Sequence, residues 1–178
     1  MSSLELAAFV FLSALGLANL GLTLAVVRWL RAQARSSGTF AGVQLNVLGA
    51  GATVGDFVTS TVDGVPIART DLTGHTLVGF LTPGCPACLE SLPSFAARAE
   101  STVGGPDRVL AIVAGVGAEF TEMCDRLRPL ARVVVEEELG PVATAFGVDS
   151  YPAFALLSEH TVVASHFVLD QIPETVPA

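Results

Sequence analysis

The first pattern along the chain is a long apolar stretch. From Leu6 to Val27 the sequence LAAFVFLSALGLANLGLTLAVV contains 22 residues and no charge. A helix that rises about 1.5 Å per residue would carry this stretch across a hydrocarbon layer of about 30 Å. Trp29 and several arginines follow it, as expected where a helix leaves the lipid. The pattern therefore predicts an N-terminal transmembrane anchor over residues 1–31.

The next part of the chain has little periodicity and then begins to alternate. Residues 32–52 are rich in Gly, Ala and Ser, which predicts a flexible tether, and residues 53–178 carry the regular patterns of a folded domain. DFVTSTVDGVPIARTDL alternates around Asp63-Gly64, the strongest short signal for a β-hairpin. HTLVGFL, at 75–81, is then a short apolar run typical of a buried strand.

The remaining segments alternate between helical and strand patterns. Helical spacing indicates helices over 89–102, 118–130 and 139–148. Apolar runs indicate strands over 108–116 and 131–137 and a terminal pair of strands within 153–167. The predicted order β-β-β-α-β-α-β-α-β-β indicates an α/β sandwich.

Composition narrows the class of protein. A chain of 178 residues suits one domain with an attachment, and three cysteines are too few for a disulfide-based scaffold. The net charge is −8, and beyond residue 35 there are 6 Arg against 16 Asp and Glu, with no lysine anywhere. Such an acidic surface disfavours nucleic acid as a partner.

Two of the three cysteines stand close together in FLTPGCPACLESLPSF. Cys85 follows a predicted strand and precedes a predicted helix, and Pro86 occupies a first-turn position that tolerates proline. A helix N-terminus favours a thiolate, so we expect Cys85 to be the exposed nucleophile. Cys88 lies one turn further on the same helix face and can close a disulfide. The spacing therefore predicts a reversible two-electron switch.

Other chemistries of a cysteine pair fit less well. A zinc site needs two more ligands, but Cys124 and the three histidines are scattered singly, and haem attachment would need histidine where Leu89 stands. We therefore predict no metal and no cofactor. A peroxidatic site is the closer rival, because Thr82 lies three residues before Cys85, but Val78 occupies the position where proline is expected.

With these residues in view, the chain resembles the thioredoxin superfamily. LVGFLTPGCPACLESLP resembles its active-site strand and helix, including Pro93, and FGVDSYPAFALL resembles its second landmark, with Pro152 matching the cis-proline that faces the cysteines. The pattern looks most like the membrane-tethered TlpA and redoxin-like branch, which includes the thioredoxin-like protein of methylamine utilisation. The resemblance covers about residues 53–168.

The resemblance implies a thioredoxin fold, a central mixed sheet with helices on both faces, preceded by the transmembrane helix and a β-hairpin. It implies thiol-disulfide exchange with a protein substrate and a redox partner, with Cys85, Cys88 and Pro152 as catalytic residues. Gly84, Pro86 and Tyr151 would then face the substrate. The alternatives are a redoxin-type thiol peroxidase and a non-enzymatic maturation or scaffold protein.

The sequence departs from the thioredoxin pattern at several positions. Gly79 stands where thioredoxin has a buried acid, and Gly84 stands where it has a tryptophan. The tail LDQIPETVPA predicts a stunted or absent C-terminal helix.

For the remaining charged and thiol side chains, the sequence predicts structural roles. We expect Glu90 to complement the helix dipole and Cys124 to be a buried, inert thiol. The run Glu136-Glu137-Glu138 reads as a solvated face leading into a helix.

Two arguments about the side of the membrane conflict. Arg28, Arg31 and Arg35 all follow the apolar stretch, and the positive-inside rule would place the domain in the cytoplasm. The resemblance implies an extracytoplasmic domain, where substrate disulfides persist. We expect the extracytoplasmic side, because charge bias is a tendency and the implied chemistry requires disulfides.

Overall fold

The computed structural model describes residues 16, 19, 21, 39–40, 43–44, 47–115 and 118–175. The chain divides into two compact units, Met1–Gln44 and Leu45–Ala178. In the first unit, β1 (Thr39–Phe40) pairs with β2 (Val43–Gln44) in antiparallel fashion. The predicted transmembrane helix and its flanking arginines lie outside the described residues, except for three positions within it that are helical. Within the described ranges, no helix is long and apolar enough to cross a membrane.

The second unit contains a hairpin where the alternating pattern turns at Asp63-Gly64. Its strands, β3 (Val58–Ser60) and β4 (Pro66–Ala68), pair in antiparallel register. The turn closes with a bond from the Thr61 N–H to the Val65 carbonyl at 2.9 Å. Gly64 has φ +77°, a left-handed conformation that glycine adopts without steric cost. The glycine of the Asp-Gly pair therefore allows the tight turn that joins the two strands.

A five-stranded mixed sheet forms the centre of the second unit. Its strands are β5 (His75–Leu81), β6 (Val109–Ala114), β7 (Arg132–Glu136), β8 (Ala153–Ser158) and β9 (Thr161–His166). The spatial order is β7-β6-β5-β8-β9. The first three strands are mutually parallel, and β8 and β9 each run antiparallel to their neighbour. β6 is buried along its whole length, which explains its continuous apolar run.

Helices cover both faces of this sheet, as the resemblance predicted. They are α1 (Pro86–Ser101), α2 (Ala118–Leu127) and α3 (Pro141–Ala145). On β5, Leu77 and Leu81 face a core shared with α1 and α2, and Val78 and Phe80 face a core shared with α3 and the hairpin. This alternation follows from the two-residue period of a strand. The fold is therefore α/β with two apolar cores.

α3 is shorter than the helical pattern over 139–148 indicated. Leu139 has φ +59° and lies before the helix, and Gly147 has φ +61° and lies after it. Left-handed residues cannot continue a right-handed helix, so they restrict α3 to a little more than one turn.

The second unit also includes residues that the sequence pattern assigned to the tether. The Leu48 N–H donates to the Phe146 carbonyl at 3.0 Å, and the Gly51 N–H donates to the Val162 carbonyl at 2.8 Å. Residues near 51–54 thereby pair with the outer strand β9 and cover its edge. The pattern missed this because Gly and Ala show no periodicity, whereas their backbone groups bond to distant residues.

The chain after β9 forms only a short 3-10 turn, Leu169–Gln171, within the described residues. This agrees with the prediction of a stunted C-terminal helix. Arg98 of α1 donates to the carbonyl oxygens of Leu169 at 3.2 Å and Ile172 at 2.8 Å, and also to that of Pro173. One guanidinium group therefore holds the final segment against α1.

Candidate active site

Cys85 lies at the N-cap of α1, directly after the loop that leaves β5. Its backbone is extended, with φ −99° and ψ 115°, and Pro86 begins the helix. The Cys85 Sγ accepts a hydrogen bond from the Cys88 N–H at 3.3 Å. The partly exposed thiol thus lies at the end of α1 where N–H groups lack helical partners and the helix dipole is positive.

Cys88 occupies a different environment one turn further along the helix. Its side chain has 0% relative exposure. Burial, reinforced by a hydrogen bond with Cys85, raises the pKa of the Cys88 thiol to about 12. Both cysteines are free thiols in this structure. Cys88 therefore remains protonated at neutral pH while Cys85 meets solvent.

The loop before β8 faces the two cysteines. The Tyr151-Pro152 peptide bond is cis, which confirms the prediction for this bond. The Cys85 Sγ donates to the Tyr151 carbonyl oxygen at 3.7 Å, within reach of a sulfur hydrogen bond. Pro152, the next residue, is buried. The structure therefore brings together Cys85, Cys88 and Tyr151, with Pro152 adjoining Tyr151 through the cis bond, and the remaining two predicted site residues, Gly84 and Pro86, are exposed on either side of Cys85.

Tyr151 also connects this loop to the segment before α3. Its hydroxyl oxygen accepts a hydrogen bond from the Leu139 N–H at 3.3 Å. Burial is the main cause that raises the pKa of the Tyr151 phenol, and the nearby Glu136, Glu138 and Cys88 add to it against the opposing Leu139 N–H. Tyr151 is thus held at both ends, by its carbonyl at the Cys85 thiol and by its hydroxyl at the Leu139 N–H.

Glu136 corrects the sequence interpretation of the acidic run. Its exposure is only 8%, and its carboxylate accepts from the Val142 N–H at 2.8 Å and the Ala143 N–H at 2.9 Å. Burial raises the pKa of Glu136 despite these two bonds. The prediction of a solvated side chain was therefore wrong for Glu136. Pro141 marks a helix start whose free N–H groups need acceptors, and this was the signal available in the sequence.

The position of the missing thioredoxin acid is filled by an aromatic ring. A Cβ atom built on Gly79 would lie 2.6 Å from Cε2 of Phe95 and 2.7 Å from its Cζ. Phe95 has 0% exposure and belongs to the core on the α1 face. No side chain larger than glycine fits at 79 unless this ring moves, so the proton of Cys88 has no carboxylate partner at that position.

The other candidate residues lie outside this arrangement. Cys124, on α2, is 5% exposed, and burial raises the pKa of its thiol, as expected for an inert core cysteine. Glu90 is exposed in the first turns of α1. No group of three or more side chains that could hold a metal ion occurs in the described part of the chain.

Comparison with solved structures identifies the fold. The thioredoxin domain of a thiol-disulfide oxidoreductase from Bacteroides vulgatus superposes with a TM-score of 0.57 at 15% identity, covering 70% of this chain and 92% of that one. A thiol:disulfide interchange protein from a Bacteroides species gives 0.55 at 13% identity, covering 67% and 82%.

A third neighbour is a secreted disulfide oxidoreductase from Mycobacterium tuberculosis. It gives a TM-score of 0.51 at 20% identity, covering 68% of this chain and 87% of that one. No protein-family model and no curated protein matches the sequence. At these identities the structural likeness establishes the thioredoxin fold, and function rests on the residues of the site.

Proposed function

We propose that this thioredoxin-fold domain is a thiol-disulfide oxidoreductase that exchanges disulfides with protein substrates. The observation that carries the proposal is the contrast between the two thiols. Cys85 is partly exposed at a helix N-terminus, and Cys88, one turn away, is fully buried with its pKa raised to about 12. Such a pair suits attack by the outer sulfur and resolution by the inner one.

The reductive reaction balances as two successive exchanges. The Cys85 thiolate attacks one sulfur of a substrate disulfide, forms a mixed disulfide, and releases the other substrate sulfur as a thiolate. Cys88 then loses its proton and attacks the Cys85 sulfur, the Cys85–Cys88 disulfide forms, and the second substrate sulfur leaves as a thiolate that takes a proton from water. Two electrons pass to the substrate, and the reverse sequence oxidises a substrate dithiol. A separate redox partner restores the starting state.

Cys88 must lose its proton during resolution. Gly79 supplies no base there, and the Phe95 ring occupies the space where one could stand. The departing substrate thiolate is the base generated at the mixed disulfide, and joining Cys85 to the substrate removes that residue's contribution to the raised pKa of Cys88. The pKa of a free thiol, about 8.5, still lies below that of buried Cys88, so this proton transfer is uphill and slows resolution. We therefore assign acceptance of the Cys88 proton to that leaving thiolate, which couples resolution to release of the first substrate sulfur.

The substrate chain would pass beside the cis-proline loop. Gly84 and Pro86 are exposed next to Cys85, and Tyr151 presents its carbonyl oxygen to the Cys85 thiol at 3.7 Å. With glycine in place of a tryptophan at 84, the approach to the sulfur is open on that side. Three structural neighbours carry names of thiol-disulfide enzymes, which supports the same chemistry here.

In the same proposal, residues 6–27 tether the domain to a membrane on its extracytoplasmic side. The support is the uncharged apolar stretch in the sequence and the need for disulfide-containing substrates. A reporter enzyme fused after Ala178 and active only outside the cytoplasm is the expected result. Activity only inside would follow the arginines at 28, 31 and 35 and overturn this placement.

Trapping of the mixed disulfide tests the central proposal. The Cys88→Ser variant, with Cys124 also changed to serine, should accumulate a reducible adduct of higher mass in cells. Changing Cys85 to serine in that background should abolish the adduct, because the nucleophile is then absent. A variant that traps nothing but still consumes hydrogen peroxide with an external thiol would support a peroxidase instead. Full biological function of the Cys85→Ser, Cys88→Ser double variant would support a non-enzymatic scaffold.

A further inference from the structure

A cavity of about 270 Å³ opens between α1 and α2, next to the reactive cysteine. Pro83, Leu92 and Met123 are buried at its base, and Leu89 forms a wall. Glu122 and Arg126, both exposed, stand at its α2 side. The base and wall are therefore apolar, and the two rim charges have opposite signs.

The geometry of α1 places one wall of the cavity on the same helix face as the thiol. Residues four and seven positions apart lie on one face of a helix, so Cys85, Leu89 and Leu92 form one row. Pro83 stands two residues before Cys85 and closes the near end. A substrate whose sulfur is joined to Cys85 would thus have a neighbouring side chain within reach of this space.

Leu89 is the residue of this cavity that indicates a binding surface. It is 52% exposed, although leucine in the first turns of a helix beside a buried core could pack inward. Covering such a side chain with an apolar group removes both surfaces from water and favours binding. Met123 adds an adaptable surface that accepts differently shaped apolar groups.

Building on the proposed function, we propose that this cavity is a substrate subsite that receives one large apolar side chain next to the cysteine of a protein substrate. The opposite charges of Glu122 and Arg126 at the rim give the entrance no net charge, so an apolar side chain is preferred over an acidic or a basic one. The occupant is therefore a segment of a protein disulfide with a residue such as Phe or Leu beside its cysteine.

Paired peptide disulfides test this inference with the purified full chain. The peptides are identical except that phenylalanine or serine stands beside the cysteine, on either its N-terminal or its C-terminal side. For one of these two sides, kcat/KM for the phenylalanine peptide should exceed that for the serine peptide about 10-fold, as expected for partial burial of one large apolar side chain.

Substitutions of two exposed apolar residues test whether the preference for the phenylalanine peptide arises at this cavity. Leu89→Ser should bring the ratio of the two rates close to one, because it removes the cavity wall. Val103→Ser is the matched control, since Val103 is 91% exposed beyond the far end of α1 and should leave the ratio unchanged. Leu89→Trp, which fills the cavity, should slow the phenylalanine peptide more than the serine peptide.

The results distinguish a failure of the proposed subsite from a failure of the proposed exchange function. Reduction of both peptides at equal rates, unaffected by Leu89→Ser, would overturn the subsite and leave the exchange function standing. If Val103→Ser changed the ratio of the two peptide rates as much as Leu89→Ser does, the subsite would also be overturned. Failure of the unaltered chain both to reduce any peptide disulfide and to oxidise any peptide dithiol would overturn both.

Discussion

Cys85 and Cys88 are the same chemical group three residues apart, yet their surroundings differ in two ways. Cys85 meets solvent and accepts a helix N–H, and Cys88 has 0% exposure. The pKa of Cys88, about 12, lies three units above the ordinary value of 9.0. At neutral pH this lowers the thiolate fraction of Cys88 about a thousandfold relative to a free cysteine.

Alkylation rates should therefore separate the two thiols. In the reduced protein at pH 7 we expect Cys85 to react with iodoacetamide at least about 100-fold faster than Cys88, since only a thiolate reacts and Cys88 is also shielded. Mass spectrometry of single-cysteine variants measures both rates, with Cys124 changed to serine throughout. Equal rates would contradict the assigned roles.

Leu139 is a second residue whose conformation has a measurable consequence. Its φ of +59° is left-handed, and its side chain is 55% exposed, so little burial offsets the steric cost. Leu139→Gly should raise the free energy of unfolding by about 0.5–1 kcal/mol, because glycine adopts this conformation without the Cβ clash. Urea unfolding measures the change. Leu139→Ala is the control and should show no gain, since alanine keeps the clash.

Among the helices, α1 contributes to the site at its N-terminus and to the attachment of the final segment near its C-terminus. Its N-terminus holds Cys85, and near its C-terminus Arg98 donates to three carbonyl oxygens of the segment after β9. The segment contains a single 3-10 turn among the described residues, so these bonds replace part of the packing that a longer helix would supply.

Removal of this guanidinium should loosen the final segment. We expect Arg98→Ala to lower the free energy of unfolding by about 2 kcal/mol, because three backbone acceptors lose a charged donor. Limited proteolysis should then cut first near residues 169–175, and urea unfolding should show the loss. The exposed Arg126 on α2 is the matched control for removal of an arginine. An unchanged cleavage pattern in Arg98→Ala would contradict the proposed attachment.

Across the whole domain, two buried thiols and one half-buried phenol affect the pH dependence of stability in the same direction. Burial is the largest cause that raises the pKa values of Cys88, Cys124 and Tyr151. The folded state therefore keeps protons that the unfolded chain releases as pH rises above about 9. By proton linkage, the stability that these groups contribute is complete below that pH and is lost as pH rises toward about 12.

The pH dependence of unfolding checks this sign. The free energy of unfolding of the reduced protein should fall between pH 9 and the highest pH that still allows reversible folding. The Cys88→Ala variant should show a shallower fall, because it lacks the group with the highest of these thiol pKa values. Comparing the slopes of the free energy of unfolding against pH cancels any pH-independent loss of stability that the substitution causes. Stability that is flat or increases over this range would contradict the burial argument.

Much of the fold was predictable because its signals are local. The Asp63-Gly64 turn, the apolar run of β5 and the Cys85-Pro86 helix start each depend on a few adjacent residues. The cis-proline at 152 was predictable only through the resemblance, since no local pattern distinguishes it. The proposed exchange chemistry is based on the cysteine spacing, and the expected difference between an exposed and a buried sulfur agrees with the structure.

Periodicity and neighbouring residues were enough to predict the order of strands and helices in the second unit, the positions of its turns and the closeness of two cysteines. They did not predict the short strands β1 and β2, which lie where a flexible tether was expected. The tertiary structure was needed to show that Glu136 is buried, that the Phe95 ring occupies the space beside Gly79, and that residues near 51 cover the edge of β9. It also decided that Leu89 borders a cavity formed with α2. Each of these depends on contacts between residues distant in the chain, and burial, which sets both pKa and packing, exists only when those contacts form.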